Sequence, residues 1–257
     1  MEKLYHIGFG REELGQNPPQ IAFLSGDPGR AKRIADDYFG SATVLSEHRG
    51  LNSYLGFLGD TPVLSATSGM GAPSLSIIVN ELVQVGIKTI IRIGTCGSIQ
   101  PHVPAGSVVI SSAALARQGA ANDIAPMDYP AVADPFLTVA LAQTASSLAI
   151  DHHVGITASV DTFYEGQGRV GSANPHLLRS QQGLLQEFQH LNILNFEMES
   201  GTLFKMAGVY GFKAACLCGV IAQRTEDERV ILTQKDDAVK NAIEIAVKTV
   251  EKLGALA

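Results

Sequence analysis

Short apolar runs alternate along this chain with longer stretches of helical period, and that alternation limits the possible folds more than any other feature. Residues 21–24, 62–66, 89–93, 107–111, 155–159 and 214–221 read as buried strands. Residues 73–85 read as a helix opened by Pro73-Ser74 and closed at Gly86, the asymmetry expected of helix ends. Near the carboxyl end, Val239, Ile243, Ala246, Val250 and Leu253 recur at steps of four, three, four and three, an amphipathic helix stopped by Gly254. Strands separated by helices predict an α/β chain with a mainly parallel, twisted central sheet flanked by helices. No repeat, low-complexity tract or long linker divides the sequence, so residues 1–257 are expected to form a single domain.

Composition narrows the partners. Of 257 residues, 46% are hydrophobic, ample for one large core. Nineteen basic and 25 acidic residues give a net charge of −6, which argues against nucleic acid or an anionic membrane as partner. An anionic substrate would then need a few local arginines. Residues 1–10 lack an apolar stretch long enough for a signal peptide. No apolar run approaches the roughly 18 residues of a membrane helix. Three cysteines, Cys96, Cys216 and Cys218, are an odd and sparse set that fits a reducing, cytoplasmic setting. Cys216 and Cys218 fall on one face of a strand, with no neighbouring His or Cys to complete a zinc set, so no metal is expected.

Sites in open α/β sheets form where strands end, and candidate residues gather there. After the first strand comes Ser25-Gly26-Asp27-Pro28-Gly29-Arg30, where backbone N–H groups and a guanidinium at a helix start suit an anion. Taken alone, this segment reads better as an ordinary strand-turn-helix connection. Arg92 interrupts the apolar run at 89–93 and must find a partner or a polar cleft. A structural ion pair and an anion site explain it equally well. Gly94-Thr95-Cys96-Gly97 then reads as a tight turn with a hydroxyl and free backbone donors. The glycines of Ser68-Gly69-Met70-Gly71-Ala72-Pro73 lack the third glycine of a dinucleotide fingerprint and are explained by a turn into the next helix.

Five motifs occur in one order: Gly-Asp-Pro-Gly-Arg, Arg-Ile-Gly-Thr-Cys-Gly-Ser-Ile-Gln-Pro, Phe-Tyr-Glu-Gly-Gln-Gly-Arg, Asn-Phe-Glu-Met-Glu-Ser and Gly-Val-Ile-Ala-Gln-Arg-Thr. From about His6 to the last helix, this series resembles the uridine branch of the nucleoside phosphorylase family. The resemblance implies phosphorolysis of uridine to uracil and ribose 1-phosphate, with inorganic phosphate as co-substrate and no metal or organic cofactor. It implies that Gly26, Arg30, Arg92 and Thr95 bind phosphate, joined by Arg49 from a neighbouring subunit. His6 would reach the neighbour's ribose. Glu197, Met198 and Glu199 match the ribose-binding turn, with Glu199 as hydroxyl acceptor and Glu197 in support. Gln167 and Arg169 match the uracil-reading pair, with Phe163 beneath the base, Ile221 and Ala222 lining it, and Arg224 supporting Arg169. Arg92, Gln167 and Arg169 would carry the catalysis. The family's usual form is a hexamer of three dimers.

Residues 220–225 carry no acid where purine-specific relatives place an Asp, which tilts the expected base toward a pyrimidine. Three departures stand out. Cys96 replaces a second Thr, Gly50 replaces an acid that helps hold a monovalent cation between subunits, and residues 170–182 follow the family poorly. Rival readings are a purine phosphorylase or nucleosidase of the same fold, and a non-catalytic nucleoside-binding protein.

Overall fold

The computed structural model describes residues 3–224 and 232–254. Its strands are β1 (Ile21–Ser25), β2 (Gly40–Ser46), β3 (Ser53–Leu58), β4 (Thr61–Thr67), β5 (Thr89–Ser98), β6 (Val108–Arg117), β7 (His152–Val160), β8 (Ile193–Glu197) and β9 (Lys213–Gln223). The helices are α1 (Pro28–Tyr38), α2 (Ala72–Gln84), α3 (Gly119–Ile124), α4 (Pro135–Ser147), α5 (Leu184–His190), α6 (Ser200–Tyr210) and α7 (Leu232–Gly254). None of the described helices is long and apolar enough to cross a membrane.

The strands join in the order β2-β3-β4-β1-β5-β8-β7-β6-β9, and β9 also pairs with β5. Half the sheet therefore closes on itself. The first half of β5 lies parallel to β1 and β9, while Gly97 and Ser98 at its far end pair antiparallel with β8. Parallel pairing predominates, as the alternation of elements predicts, in β1–β4, β1–β5, β5–β9, β6–β7 and β7–β8. β2–β3, β3–β4, β5–β8 and β6–β9 are antiparallel, so the sheet is mixed. The antiparallel pairs arise in two places. Gly59 adopts a left-handed φ of 57° in the short turn that folds β3 back on β4. The closure sets β8 and β6 against strands running the other way.

Alternate side chains of each strand feed two cores. Ala22 and Leu24 of β1 pack with Leu75, Ile78, Val79 and Leu82 of α2 and Leu203 and Phe204 of α6. Phe23, between them, packs with Ala31 and Ile34 of α1, Leu137 and Leu141 of α4, and Ala242 and Ile243 of α7. A third, smaller cluster joins Leu184 and Phe188 of α5 to Phe196 of β8. Helix starts are fixed locally. Asp27 accepts from the Gly29 N–H at 2.8 Å ahead of Pro28, and Asp134 accepts from the Leu137 N–H at 2.9 Å ahead of Pro135.

One expectation is corrected. Gly94-Thr95-Cys96-Gly97 is not a turn, because β5 runs on through it. Gly94, Thr95 and Cys96 pair with Cys218, Gly219 and Val220, and Gly97 pairs with Ala222 and with Phe196. Parallel pairing with β9 carries the backbone through this segment.

Candidate active site

Arg92 is the centre of the site. It lies on β5 and is 4% exposed, with two carboxylates as partners. Its Nε donates to Glu197 Oε2 at 3.3 Å, and its Nη2 donates to Glu199 Oε2. Burial alone would lower the pKa of this guanidinium. The charges of Glu199 and Glu197 outweigh that and hold it above its ordinary value. The third nitrogen, Nη1, is buried without a hydrogen-bond partner among the described residues. A side chain at Gly26 would bring its Cβ within 4.0 Å of that nitrogen and 3.1 Å of the Gly69 carbonyl oxygen. Absence of a side chain at Gly26 thus keeps open the space that Nη1 adjoins.

Arg30, one turn into α1, donates from Nη1 to the Ile93 carbonyl at 3.0 Å, and its Nε is buried and unpaired. Burial, and then the nearby Arg92 charge, pull its guanidinium below the ordinary value. Two cations whose fields oppose each other, each with an unsatisfied N–H, have the chemistry of an anion seat. Thr95 is half-buried further along β5. Cys96 packs inward instead, its Sγ 4.0 Å from the Cys218 carbonyl. Cys216 and Cys218 share one face of β9 as the spacing predicts, with sulfurs 3.8 Å apart.

The two carboxylates do different work. Glu197, at the end of β8, accepts from the N–H groups of Glu199 and Ser200 and from Ser200 Oγ at 2.6 Å. Burial pushes its carboxyl up, Arg92 opposes the rise and Glu199 adds to it. Such a saturated group fixes the entry to α6 and has little capacity left for a ligand. Glu199 accepts from the Gly71 N–H at 2.6 Å as well as from Arg92. The Met198 carbonyl accepts from Gln118 Nε2 at 2.6 Å, and Gln118 Oε1 accepts from the Thr202 N–H and hydroxyl.

A second group of residues surrounds residues 163–169. Gln167 is 3% exposed and its Oε1 accepts from Arg169 Nε and Nη2, both at 3.3 Å. The Arg169 guanidinium lies 4.4 Å over the Phe163 ring. Arg224 donates to the Gln167 carbonyl at 2.9 Å and stacks over Phe196 at 5.3 Å, one residue before Glu197. Ala222 is buried beside it on β9, and Ile221 is half-buried. Thr225, the last residue of the fifth motif, lies outside the described residues.

His6 and Arg49 sit elsewhere. Tyr5 gathers them, with its ring 5.0 Å from His6 and 5.7 Å from the Arg49 guanidinium. Arg49 is exposed and holds a left-handed φ of 58°. Gly50, also left-handed at φ 73°, follows it. Residues 170–182 are irregular apart from a short 3-10 turn at Arg179–Gln181.

Sequence reasoning missed four contributors. Gly71, read as part of a plain turn, donates to Glu199, and Gly69 has its carbonyl against Gly26. Gln118 orders the Met198 carbonyl, and Glu81 of α2 holds the turn that carries His6. Gly71 announced itself only as an unusual density of glycines. Gln118 and Glu81 gave no local signal. Among the described residues, no three His, Cys, Asp or Glu side chains are arranged to hold a metal ion.

Known proteins share this sequence closely. A protein named uridine phosphorylase from Haemophilus influenzae is 40% identical over 228 residues, 89% of either chain. One of the same name from Salmonella typhimurium is 38% identical over 250 residues, 97% of this chain and 98% of that one. A guanosine phosphorylase from Halorubrum lacusprofundi is 32% identical over 244 residues, 91% of this chain and 94% of that one. The family model described as the phosphorylase superfamily matches residues 20–255. Matches of such reach, over a fold that gathers buried arginines and carboxylates at its strand ends, make the chain a member of the phosphorylase superfamily.

Proposed function

We propose that this chain is a uridine phosphorylase, which transfers the ribosyl group of uridine from uracil to inorganic phosphate. The observation that carries the reading is Arg92, buried between Glu197 and Glu199 with Nη1 unpartnered beside Gly26. Phosphate would sit between Arg30, Arg92, Gly26 and Thr95, with Arg49 supplied by a neighbouring copy. Glu199, the less saturated carboxylate, would accept the ribose 2′- and 3′-hydroxyls, and Met198 would border the sugar.

The reaction needs a phosphate oxygen placed for attack at C1′ while the C1′–N1 bond breaks. As that bond opens, its electron pair passes to uracil and positive charge develops on the sugar. Arg169 and Gln167 stabilise the departing anion by donating to its carbonyl oxygens. Gln167 also accepts from the uracil N3–H. Cytosine reverses the hydrogen-bonding pattern at N3 and the 4-position and leaves these buried groups opposed. Uracil leaves as a delocalised anion, so the step calls for no general acid, metal or organic cofactor. The reading extends to a cytoplasmic hexamer of three dimers with shared sites.

Release of uracil from uridine, measured with and without phosphate and alongside cytidine, inosine and guanosine, tests this directly. Uracil should appear only with phosphate, and the other three nucleosides should be poor substrates. Phosphate-independent release would make the protein a nucleosidase. Comparable turnover of guanosine or inosine would overturn the role given to Gln167 and Arg169.

A further inference from the structure

One carboxylate fastens the N-terminal turn. Glu81 Oε2 accepts from the backbone N–H of His6 at 3.0 Å and of Ile7 at 2.8 Å, and Oε1 lies 2.6 Å from His6 Nδ1. The Glu81 side chain is 12% exposed and that of His6 33%, so the carboxylate lies beneath the ring. The Tyr5 ring meets His6 edge-on, with an interplanar angle of 87°. A carboxylate already taking two backbone N–H donors acts only as an acceptor, so the contact at Nδ1 requires a proton on that nitrogen. In the neutral ring, Nε2 is then left with its lone pair. A carboxylate behind a histidine commonly fixes tautomer and ring orientation in this way.

We propose that Glu81 is a positioning residue for the phosphorolysis. It holds His6 as the Nδ1–H tautomer, so that Nε2 accepts a hydrogen bond from a hydroxyl of the nucleoside bound by a neighbouring copy. This rests on the reading of the chain as a uridine phosphorylase in which His6 reaches the sugar. With Glu199 occupied by the 2′- and 3′-hydroxyls, the 5′-hydroxyl is the donor left for His6. Glu81 thereby sets a preference for nucleosides that carry a free 5′-hydroxyl, although it touches no substrate itself.

The test compares kcat/KM for uridine and 5′-deoxyuridine in the wild-type chain, Glu81→Gln, His6→Ala and the double variant. The wild type should favour uridine by roughly three- to ten-fold, the worth of one neutral hydrogen bond. Each single variant should lose most of that preference, with 5′-deoxyuridine turnover in Glu81→Gln changing by less than about two-fold, and the double variant should match the singles in preference. Equal loss on both substrates in Glu81→Gln would mark a merely structural glutamate and overturn the proposal. So would a preference that survives in Glu81→Gln or in His6→Ala. A spectroscopic arm does not depend on turnover. In protein labelled with 15N-histidine, the resonances lost in His6→Ala should show a protonated Nδ1 and a bare Nε2 in the wild type, and a mixture in Glu81→Gln. A protonated Nε2 in the wild type overturns the proposal. A wild-type chain that releases no uracil overturns the functional reading alone, and the imidazole spectrum still decides the tautomer.

Discussion

Arg92 meets two demands with one guanidinium. Nε and Nη2 neutralise Glu197 and Glu199, while Nη1 adjoins the open space at Gly26. Removing it leaves two buried carboxylates facing each other without a cation, a change that typically costs about 3–5 kcal/mol. Arg92→Ala should therefore lower stability by that amount in chemical denaturation and abolish measurable phosphate saturation. Adding Glu199→Gln should restore part of the stability but none of the phosphate affinity. Recovery of phosphate binding in the double variant would show that Arg92 serves the carboxylates alone. Arg92 was visible in the sequence because a charge inside an apolar run demands an explanation. Glu197 and Glu199 were visible through their motif, but which of the two is saturated depends on the backbone N–H groups that reach them. Gly71, Gln118 and Glu81 were not visible, since each acts across a contact distant in sequence. Glu81 is 74 residues from Ile7 and Gly71 is 128 from Glu199.

The apolar strands were legible in place, though β5 and β6 run on past the ends read from the sequence, and the elements that escaped notice did so for physical reasons. β2 is an edge strand with five exposed residues at its start and shows no alternation. β8 is only five residues long, all buried, and two of its side chains are Asn195 and Glu197. In α6, eight consecutive residues from Ser200 to Ala207 are buried, including Lys205, so no polar face marks a helical period. Lys205 compensates by donating to the Ala125 and Pro126 carbonyls at 3.1 and 2.6 Å. The packing of α7 on β9 gives a sharper expectation. A Cβ at Gly219 would meet the carbonyl carbon and oxygen of Ala238 at 2.7 Å. Backbone cannot step aside as a side chain can. Gly219→Ala should push α7 outward and destabilise the protein by about 1–3 kcal/mol, read from the denaturation midpoint at unchanged m-value. A midpoint equal to that of the wild type would show that the helix yields freely there.

At the scale of the whole molecule, the α/β class and the largely parallel sheet were legible in the sequence. Closure of the sheet joins strands far apart in the chain, and no local pattern announces it. His6 and Arg49 cluster around Tyr5, and His6 is fastened to Glu81 of α2. In the reading proposed above, a neighbouring copy supplies both residues to the site. Mixing Arg49→Ala chains with Arg169→Ala chains, each nearly inactive alone, should restore partial activity once subunits exchange. Some mixed dimers then hold one intact site and one doubly damaged site. Verified exchange with no recovered activity would mean that each subunit builds its site unaided.

Closure at β5 also bears on how the protein is made. Arg92 lies across from Leu24 on one side and Cys216 on the other, while Gly97 at the end of the same strand waits for Phe196. Loop-closure entropy must be met before pairings this distant stabilise the chain. During synthesis, a ribosome will have released most of the polypeptide before β9 can take its place beside β5. Glu197 and Glu199 follow Arg92 by 105 and 107 residues, so Arg92 has neither to neutralise it over that stretch of synthesis. The carboxylates that face Arg92 are thus added to the chain only after both arginines of the anion seat have been made.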